Sequence, residues 1–256
     1  MQNTLTILGS GSSAGTPVVG CKCETCSSIN PKNTRTRCSS LITLKNDKNI
    51  LIDTSPDLRE QSLRESITKV DAVLFTHAHA DHCHGIDDLR AFCQINKTQI
   101  PLYGNQDVID QLTNKFKYAM IEPKNFWEMP VLKPNVVTAP FEIFDEKITP
   151  IPIMHGNNNI NGYRVGNLGY ITDASEISQN SMKLLEGVDV LLLDCLRMEP
   201  HFTHLSFLES IEIAKKIDAR ETYLIHMMHT LEYESLKKML PKGVYVGYDG
   251  LKLQIN

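Results

Sequence analysis

The sequence predicts an α/β protein built as two mixed β-sheets packed face to face, with helices on the outside. Three observations predict it. Short strands arrive in two successions, and each succession is followed by helices. Runs such as Ala72-Val73-Leu74-Phe75 are apolar throughout, as strands covered on both faces are. The 256 residues are enough to bury a full core and show no internal repeat, linker or low-complexity tract, so one domain over 1–256 is expected.

The first succession opens with Thr4–Leu8 and stops at a loop rich in Gly and Ser, from Gly9 to Pro17. Strands are expected at Ser39–Thr43 and Asn49–Asp53, and a helix from Pro56 to about Glu65, since Pro suits a first helical turn. Strand Ala72–Phe75 delivers Thr76 and His77 into a loop. A helix over Ile86–Ile95 follows, with Asp87 and Asp88 early, where the helix dipole favours acids. Then come strand Ile100–Tyr103, a helix at Asp107–Phe116, and a Pro-rich stretch from Glu122 to Pro140 without a pattern.

The second succession has strands at Lys147–Ile153, Gly162–Val165, Leu168–Thr172, Val188–Leu193 and Thr222–Ile225. Helices are expected near Ser178–Leu185, Leu205–Ile217 and Leu231–Leu240. The chain closes with Val244–Tyr248 and Leu251–Ile255, and Asp249-Gly250 between them predicts a hairpin.

A net charge of −4 supplies no global basic field, which argues against non-specific binding of nucleic acid. No apolar run reaches the roughly 18–20 residues of a membrane span, and the N-terminus lacks signal-peptide character. A cytoplasmic protein is expected. Seven cysteines, three of them crowded at Cys21, Cys23 and Cys26, fit metal binding in a reducing compartment better than a disulfide scaffold. Cys38, Cys83, Cys93 and Cys195 read as buried small apolar residues.

His77, His79, Asp81 and His82 place three imidazoles and a carboxylate within six residues. In an extended segment, side chains at i and i+2 share a side, so His77 and His79 reach one metal. Asp81 and His82, at the turn into the next helix, face a second. These donors suit Zn, Mn or Fe rather than Ca or Mg. A chance His-rich surface loop would not be expected to end a buried strand and enter a helix. Further candidate ligands end apolar strands in the same way: His155 after Ile151–Met154, Asp173 after Leu168–Thr172, and His226 after Thr222–Ile225.

The run His77–His82 matches in full the H-x-H-x-D-H motif of the metallo-β-lactamase superfamily, which the chain resembles along its whole length. The resemblance implies an αββα sandwich with two divalent metals at one edge. It implies that His77, His79 and His155 bind one metal and that Asp81, His82 and His226 bind the other, with Asp173 bridging.

Cys21-Lys22-Cys23-Glu24-Thr25-Cys26 has C-x-C-x-x-C spacing, and three thiolates leave one corner of a structural zinc for a fourth ligand. His229 is the candidate, and a zinc loop over 20–27 tied to it would brace the segment carrying His226. Together the two sites resemble the PhnP-like branch of the superfamily, the cyclic-phosphate phosphodiesterases. Gly9-Ser10-Gly11, Gly15-Thr16-Pro17 and Gly247-Tyr248-Asp249-Gly250 resemble that branch as well. The stretch His79 to Arg90 is not the phosphonate-pathway enzyme's version.

The resemblance implies a phosphodiesterase for a small cyclic phosphate or nucleotide, using a hydroxide shared by two metals roughly 3.5–4 Å apart. Asp81 and His204 are the expected catalytic residues. His204 is placed as general acid or phosphate donor, with His201 a weaker candidate for the same role. His84, Arg197, Arg164 and the run Asn157-Asn158-Asn159 read as structural or solvated. The alternatives are a tRNA-maturation nuclease, a thioester or lactam hydrolase, and a metal-stabilised binding module. A long Gly- and Lys-rich arm, which would favour the first, is missing from the sequence. A homodimer is implied by the resemblance alone.

Overall fold

The computed structural model describes residues 2–120 and 132–255. Two seven-stranded sheets make up its centre. The first contains β1 (Asn3–Gly9), β2 (Ser39–Thr43), β3 (Asn49–Ile52), β4 (Ala72–Leu74), β5 (Ile100–Gly104), β6 (Leu132–Val136) and β14 (Lys252–Ile255). Its order is β14-β1-β2-β3-β4-β5-β6, antiparallel up to β3 and parallel beyond it. The second contains β7 (Phe141–Ile143), β8 (Glu146–His155), β9 (Asn158–Val165), β10 (Leu168–Ile171), β11 (Val190–Asp194), β12 (Glu221–Ile225) and β13 (Val244–Val246). It runs β13-β12-β11-β10-β9-β8-β7, with β10 to β13 parallel and the rest antiparallel.

The helices are α1 (Leu58–Arg64), α2 (Ala80–Cys83), α3 (Leu89–Asn96), α4 (Gln106–Lys115), α5 (Lys117–Met120), α6 (Gln179–Leu184), α7 (Phe207–Ile217) and α8 (Tyr233–Met239). Each sheet is buried on both faces. Between the sheets lie Leu5, Ile7, Ile42, Ile50, Ile52 and Leu74 from one, and Ile148, Tyr163, Tyr170, Val190 and Leu192 from the other. The alternate residues of the same strands, such as Leu51, Val73, Leu191 and Leu193, pack under helices instead. Strands covered on both sides must be apolar at successive positions, which is why β4 and β11 read as continuous runs. Pro150 and Pro152 are tolerated in β8 because β7 pairs only with Glu146–Ile148, leaving their nitrogens at an open edge.

The αββα layering that the resemblance implies is therefore present, with most boundaries within two residues of expectation. The segment after His77 differs. Ala80–Cys83 forms a short helix of its own, Ile86–Asp88 is a 3-10 turn, and the longer helix starts only at Leu89. Part of the unpatterned Glu122–Pro140 stretch forms β6; residues 121–131 lie outside the described residues.

The hairpin expected at Asp249-Gly250 does not form. β13 pairs with β12 in the second sheet and β14 with β1 in the first, so this turn carries the chain from one sheet to the other. The reason is Asp249. Its carboxylate accepts from the backbone and hydroxyl of Ser10, at 2.9 Å each, and from those of Thr36, at 2.8 and 2.6 Å. Four donors from other segments outweigh the local turn preference of Asp-Gly. Among the described residues no helix is long and apolar enough to cross a membrane.

Candidate metal centre

The candidate ligands converge where strands end. β4 leads to His77, β8 ends on His155, β10 leads to Asp173 and β12 to His226. All lie at carboxyl ends of strands, the usual location of sites in open α/β sheets. Asp173 and His226 have φ of 56° and 59°, and Asp53, directly after β3, has 59°. Left-handed backbone at a residue other than glycine costs free energy and persists only where surroundings impose it. Here it turns each side chain off its strand and into a common centre. Gly85 lets α2 seat against the 54–55 segment, since a Cβ there would lie 1.9 Å from the Ser55 carbonyl oxygen. Thr54 donates to the His82 carbonyl at 2.8 Å, and Gly85 donates to Thr54 at 3.0 Å.

Two donor sets result. His77, His79 and His155 form one; Asp81, His82, Asp173 and His226 form the other. In each set the candidate ligand atoms lie within 4.8 Å of one another. Asp173 faces both: Oδ2 is 3.1 Å from His82 Nε2, and Oδ1 is 3.4 Å from His226 Nε2 and 3.9 Å from His77 Nε2. The Nε2 atoms of His77, His82 and His226 are buried and make no hydrogen bond. Leaving such groups unpaired costs about 1–3 kcal/mol each, so their clustering indicates a cation site.

The opposite ring nitrogens are aimed by other groups. Thr76 Oγ1 lies 3.0 Å from His77 Nδ1, Asp53 Oδ2 lies 2.8 Å from His82 Nδ1, and the Thr203 carbonyl lies 2.8 Å from His155 Nδ1. His226 Nδ1 makes no hydrogen bond; Asp194 stands 3.5 Å from it. Histidines held at one nitrogen present the other in a fixed direction, as metal-binding histidines do. Asp53 is itself held by the Thr76 backbone and hydroxyl, at 2.8 and 2.7 Å.

The charges agree. Burial alone would push the His82 pKa down, but Asp173, Asp81 and Asp53 outweigh it and hold it well above the ordinary value. His226 is raised against the same burial by Asp173 and Asp81. Burial would raise Asp173 and Asp81, yet the neighbouring imidazoles keep both below the ordinary carboxylate value. His77 is pushed well down, by burial first and then by His82. The carboxylates thus demand positive charge beside His82 and His226, which a divalent cation would supply in place of their protons.

His204 borders both sets, stacked on His226 with centroids 4.9 Å apart and edge-on to His155 at 4.8 Å. Its Nδ1 makes no hydrogen bond and lies 3.5 Å from Asp194 Oδ2 and 3.8 Å from Asp173 Oδ1, while Asp194 accepts from the Leu205 and Asp173 backbones, at 3.0 and 3.2 Å. The Ser206 backbone donates to Glu209 at 2.8 Å, securing the start of α7 immediately after His204. His201 is exposed and its Nδ1 contacts Thr203 Oγ1 at 3.1 Å.

The second cluster joins Cys21, Cys23, Cys26 and His229. Their sulfurs lie 3.5, 3.3 and 3.5 Å from His229 Nδ1. A tetrahedral zinc with Zn–S of about 2.3 Å and Zn–N of about 2.0 Å requires S···N separations of about 3.5 Å. The cluster is built to that size. The Cys26 backbone N–H, followed by His229, lowers the Cys23 thiol to about 6, while burial raises Cys26 to about 11.

Sequence reasoning does not single out Asp53 and Asp194. Each ends or follows an apolar strand run, the same signal that marks Asp173 and His226. Of the residues read as structural or solvated, Asn158 and Asn159 instead line the cavity beside His77, His79 and His155, while Arg164, Arg197 and His84 have local partners. Arg197 donates to the Glu199 and Pro200 carbonyls of its own loop, and Arg164 to those of Leu184 and Glu186. His84 packs edge-on to Phe116, and Cys38, Cys83, Cys93 and Cys195 are buried.

Comparison with known proteins agrees with this geometry. Residues 48–227 match the family described as "Beta-lactamase superfamily domain". A crystal structure described as a new diphosphatase from the PhnP family is 41% identical, with TM-score 0.93, covering 100% of this chain and 98% of that one. An octanoyltransferase of Porphyromonas gingivalis is 37% identical over 98% of this chain, which spans about half, 51%, of that protein's length. Zn(2+)-bound PqqB from Methylobacterium extorquens shares the fold at TM-score 0.80 and 20% identity, covering 98% of this chain and 100% of its own. The chain therefore belongs to the metallo-β-lactamase superfamily, in its PhnP-like branch.

Proposed function

We infer that the protein is a dimetal phosphodiesterase acting on a small cyclic phosphate or nucleotide phosphodiester. The observation that carries this is the pair of donor sets sharing Asp173, in which the second ring nitrogens of His77, His82 and His155 face partners of their own. His77, His79 and His155 would hold one metal, and Asp81, His82 and His226 the other. Zn, Mn and Fe all suit these donors. When bound, two such metals supply Lewis acidity toward phosphoryl oxygens and an activated water.

The chain's own residues do the rest. Asp81 and Asp173 concentrate negative charge that would hold the cations. His204, which borders both donor sets, would protonate the leaving oxygen. Asp194 lies 3.5 Å from the Nδ1 atoms of both His204 and His226, where its charge would favour their cationic neighbours. Cys21, Cys23, Cys26 and His229 would hold a structural zinc. Buried Arg35 ties this loop to the segment after His226, donating to the Met228 and Leu231 carbonyls at 3.1 and 2.5 Å.

The diphosphatase relative supports hydrolysis of a bond to phosphorus. The octanoyltransferase relative raises acyl chemistry, but the cavity beside the candidate ligands is walled by Asp107, Gln111, Asn158 and Asn159, which do not suit an alkyl chain.

Turnover of bis-p-nitrophenyl phosphate with Zn or Mn, followed by cyclic nucleotides and nucleoside diphosphate esters, tests this reading. Absence of hydrolysis at phosphorus with any divalent metal would overturn it. His204→Ala, at full metal content, is expected to lower kcat by about 10²- to 10⁴-fold, and an unchanged kcat removes His204 from the chemistry. Asp53→Ala takes away the acceptor that aims His82. Metal affinity, measured by competition with a chromophoric chelator, should fall by about 10- to 100-fold. Equal affinity would show that His82 needs no such partner.

A further inference from the structure

A cavity of about 200 Å³ lies at the β13 edge of the second sheet, and none of the residues lining it is a candidate metal ligand. It opens between β13, the helix α8 packed beside it, and the loop after the cysteine cluster, which contributes Lys32. Four of the chain's eight tyrosines face it: Tyr223, Tyr233, Tyr245 and Tyr248. Such a concentration is more than a short edge strand needs for its own packing. Tyr223 and Tyr245 lie directly opposite on β12 and β13 and stack with centroids 5.2 Å apart. Tyr233 and Tyr248 meet edge-on at 6.1 Å. Leu240, Val246 and Leu251 add apolar surface.

Among the described residues the charged groups lining this cavity are both ammonium groups, of Lys32 and Lys237, and no acid lines it. Lys32 is half-buried, 4.6 Å from the Tyr233 ring centroid and 4.4 Å from that of Tyr248. It donates to Tyr233 Oη at 3.1 Å, which uses one of its three donors. The nearby acid Glu232 is committed elsewhere, accepting from Asn33 at 2.7 Å and from the Ser235 backbone at 2.8 Å.

An ammonium set in an aromatic wall is shielded from water, so an anion brought to it interacts more strongly than at an open surface. Tyrosine faces and edges beside it suit a second ring. The volume limits the occupant to a small molecule, below the roughly 300 Å³ of ordinary drug-sized pockets. Two ammonium groups match the two oxygens of a carboxylate. A phosphate has more oxygens to satisfy, and no guanidinium lines the cavity to meet them.

We propose that this cavity is a second ligand site, which takes a small planar aromatic carboxylate. The carboxylate meets Lys32 and Lys237, and the ring packs on Tyr245, which is 44% exposed, and Tyr248. The site is independent of the phosphodiesterase reading and stands or falls without it.

Three probes test it by titration calorimetry on the metal-loaded protein. 2-Naphthoate has both ring and charge, 2-naphthamide has the ring alone, and acetate has the charge alone. 2-Naphthoate should bind about 10- to 100-fold more tightly than 2-naphthamide, the size of charge-assisted hydrogen bonds. Acetate should bind more weakly than either. In the double variant Lys32→Met, Lys237→Met the naphthoate-to-naphthamide ratio should fall to near one, with naphthamide affinity unchanged. Merely structural damage would weaken both ligands together and leave the ratio intact. Tyr245→Ala should weaken both aromatic ligands by about 2- to 10-fold. Asp173→Asn, altered at the dimetal centre, should bind 2-naphthoate as the native protein does.

Equal affinity for 2-naphthoate and 2-naphthamide, acetate binding as tightly as 2-naphthoate, or a ratio preserved in the double lysine variant would each overturn the proposal. Loss of 2-naphthoate binding in Asp173→Asn would also overturn it, by placing the carboxylate on the dimetal centre.

Discussion

Asp173→Asn is expected to reduce turnover by about 10³-fold or more and to lower the bound-metal count at the dimetal site. The side chain keeps its shape, so folding is not the issue; what is lost is charge. Asp173 is buried, with one oxygen 3.1 Å from His82 Nε2 and the other 3.4 Å from His226 Nε2 and 3.9 Å from His77 Nε2. Its carboxylate thereby faces both donor sets. An amide there offers a single neutral acceptor and cannot balance two divalent cations. Metal analysis after gel filtration and steady-state kinetics at saturating Zn or Mn read both effects. A variant with full metal content and near-normal kcat would show that Asp173 does not bridge.

Cys23→Ser should remove one metal ion per chain without emptying the dimetal site. It should also lower Tm by roughly 10 °C. An ion present at about a thousand times its Kd contributes about 4 kcal/mol to the folded state. For a chain of this size that corresponds to a shift of this order. The metal would add to anchors the loop already has, since Asn33 donates to Glu232 at 2.7 Å and Arg35 to the Met228 carbonyl at 3.1 Å. Between Thr16 and Arg35 it makes one reciprocal backbone pairing, at 2.8 Å in each direction, while Val19 and Ile29 project into solvent. His229→Ala should reproduce the result from the other side of the cluster. An unchanged stoichiometry in Cys23→Ser would mean that the three thiols and His229 meet without a metal.

The parts of the centre carried by dense local patterns are legible in the amino-acid sequence alone. His77 to His82 and the cysteine loop place several donors within a few residues, so their grouping needs no knowledge of the fold. His155, Asp173 and His226 are legible less directly, through the recurrence of a polar residue at the end of an apolar strand. Asp53 and Asp194 carry that signal too. They do not stand out, because an acid at a strand end is ordinary until the histidine it orients is known. The pairing of Asp53 with His82 spans 29 residues, and only the adjacency of β3 and β4 brings it about.

The sequence by itself determined the α/β class, the strand successions apart from β6 and β7, and the two groups of candidate metal donors, because each is written in local spacing and apolar period. Tertiary structure decided what depends on contacts between distant segments. Asp249 had its local turn preference overridden by Ser10 and Thr36, so the last two strands joined different sheets. Asp107 and Gln111, an ordinary helical pair in the sequence, became the wall of a cavity beside His77 and His155 because α4 packs next to the β8–β9 hairpin. Local chemistry specifies which groups are available, and long-range packing decides which of them face one another.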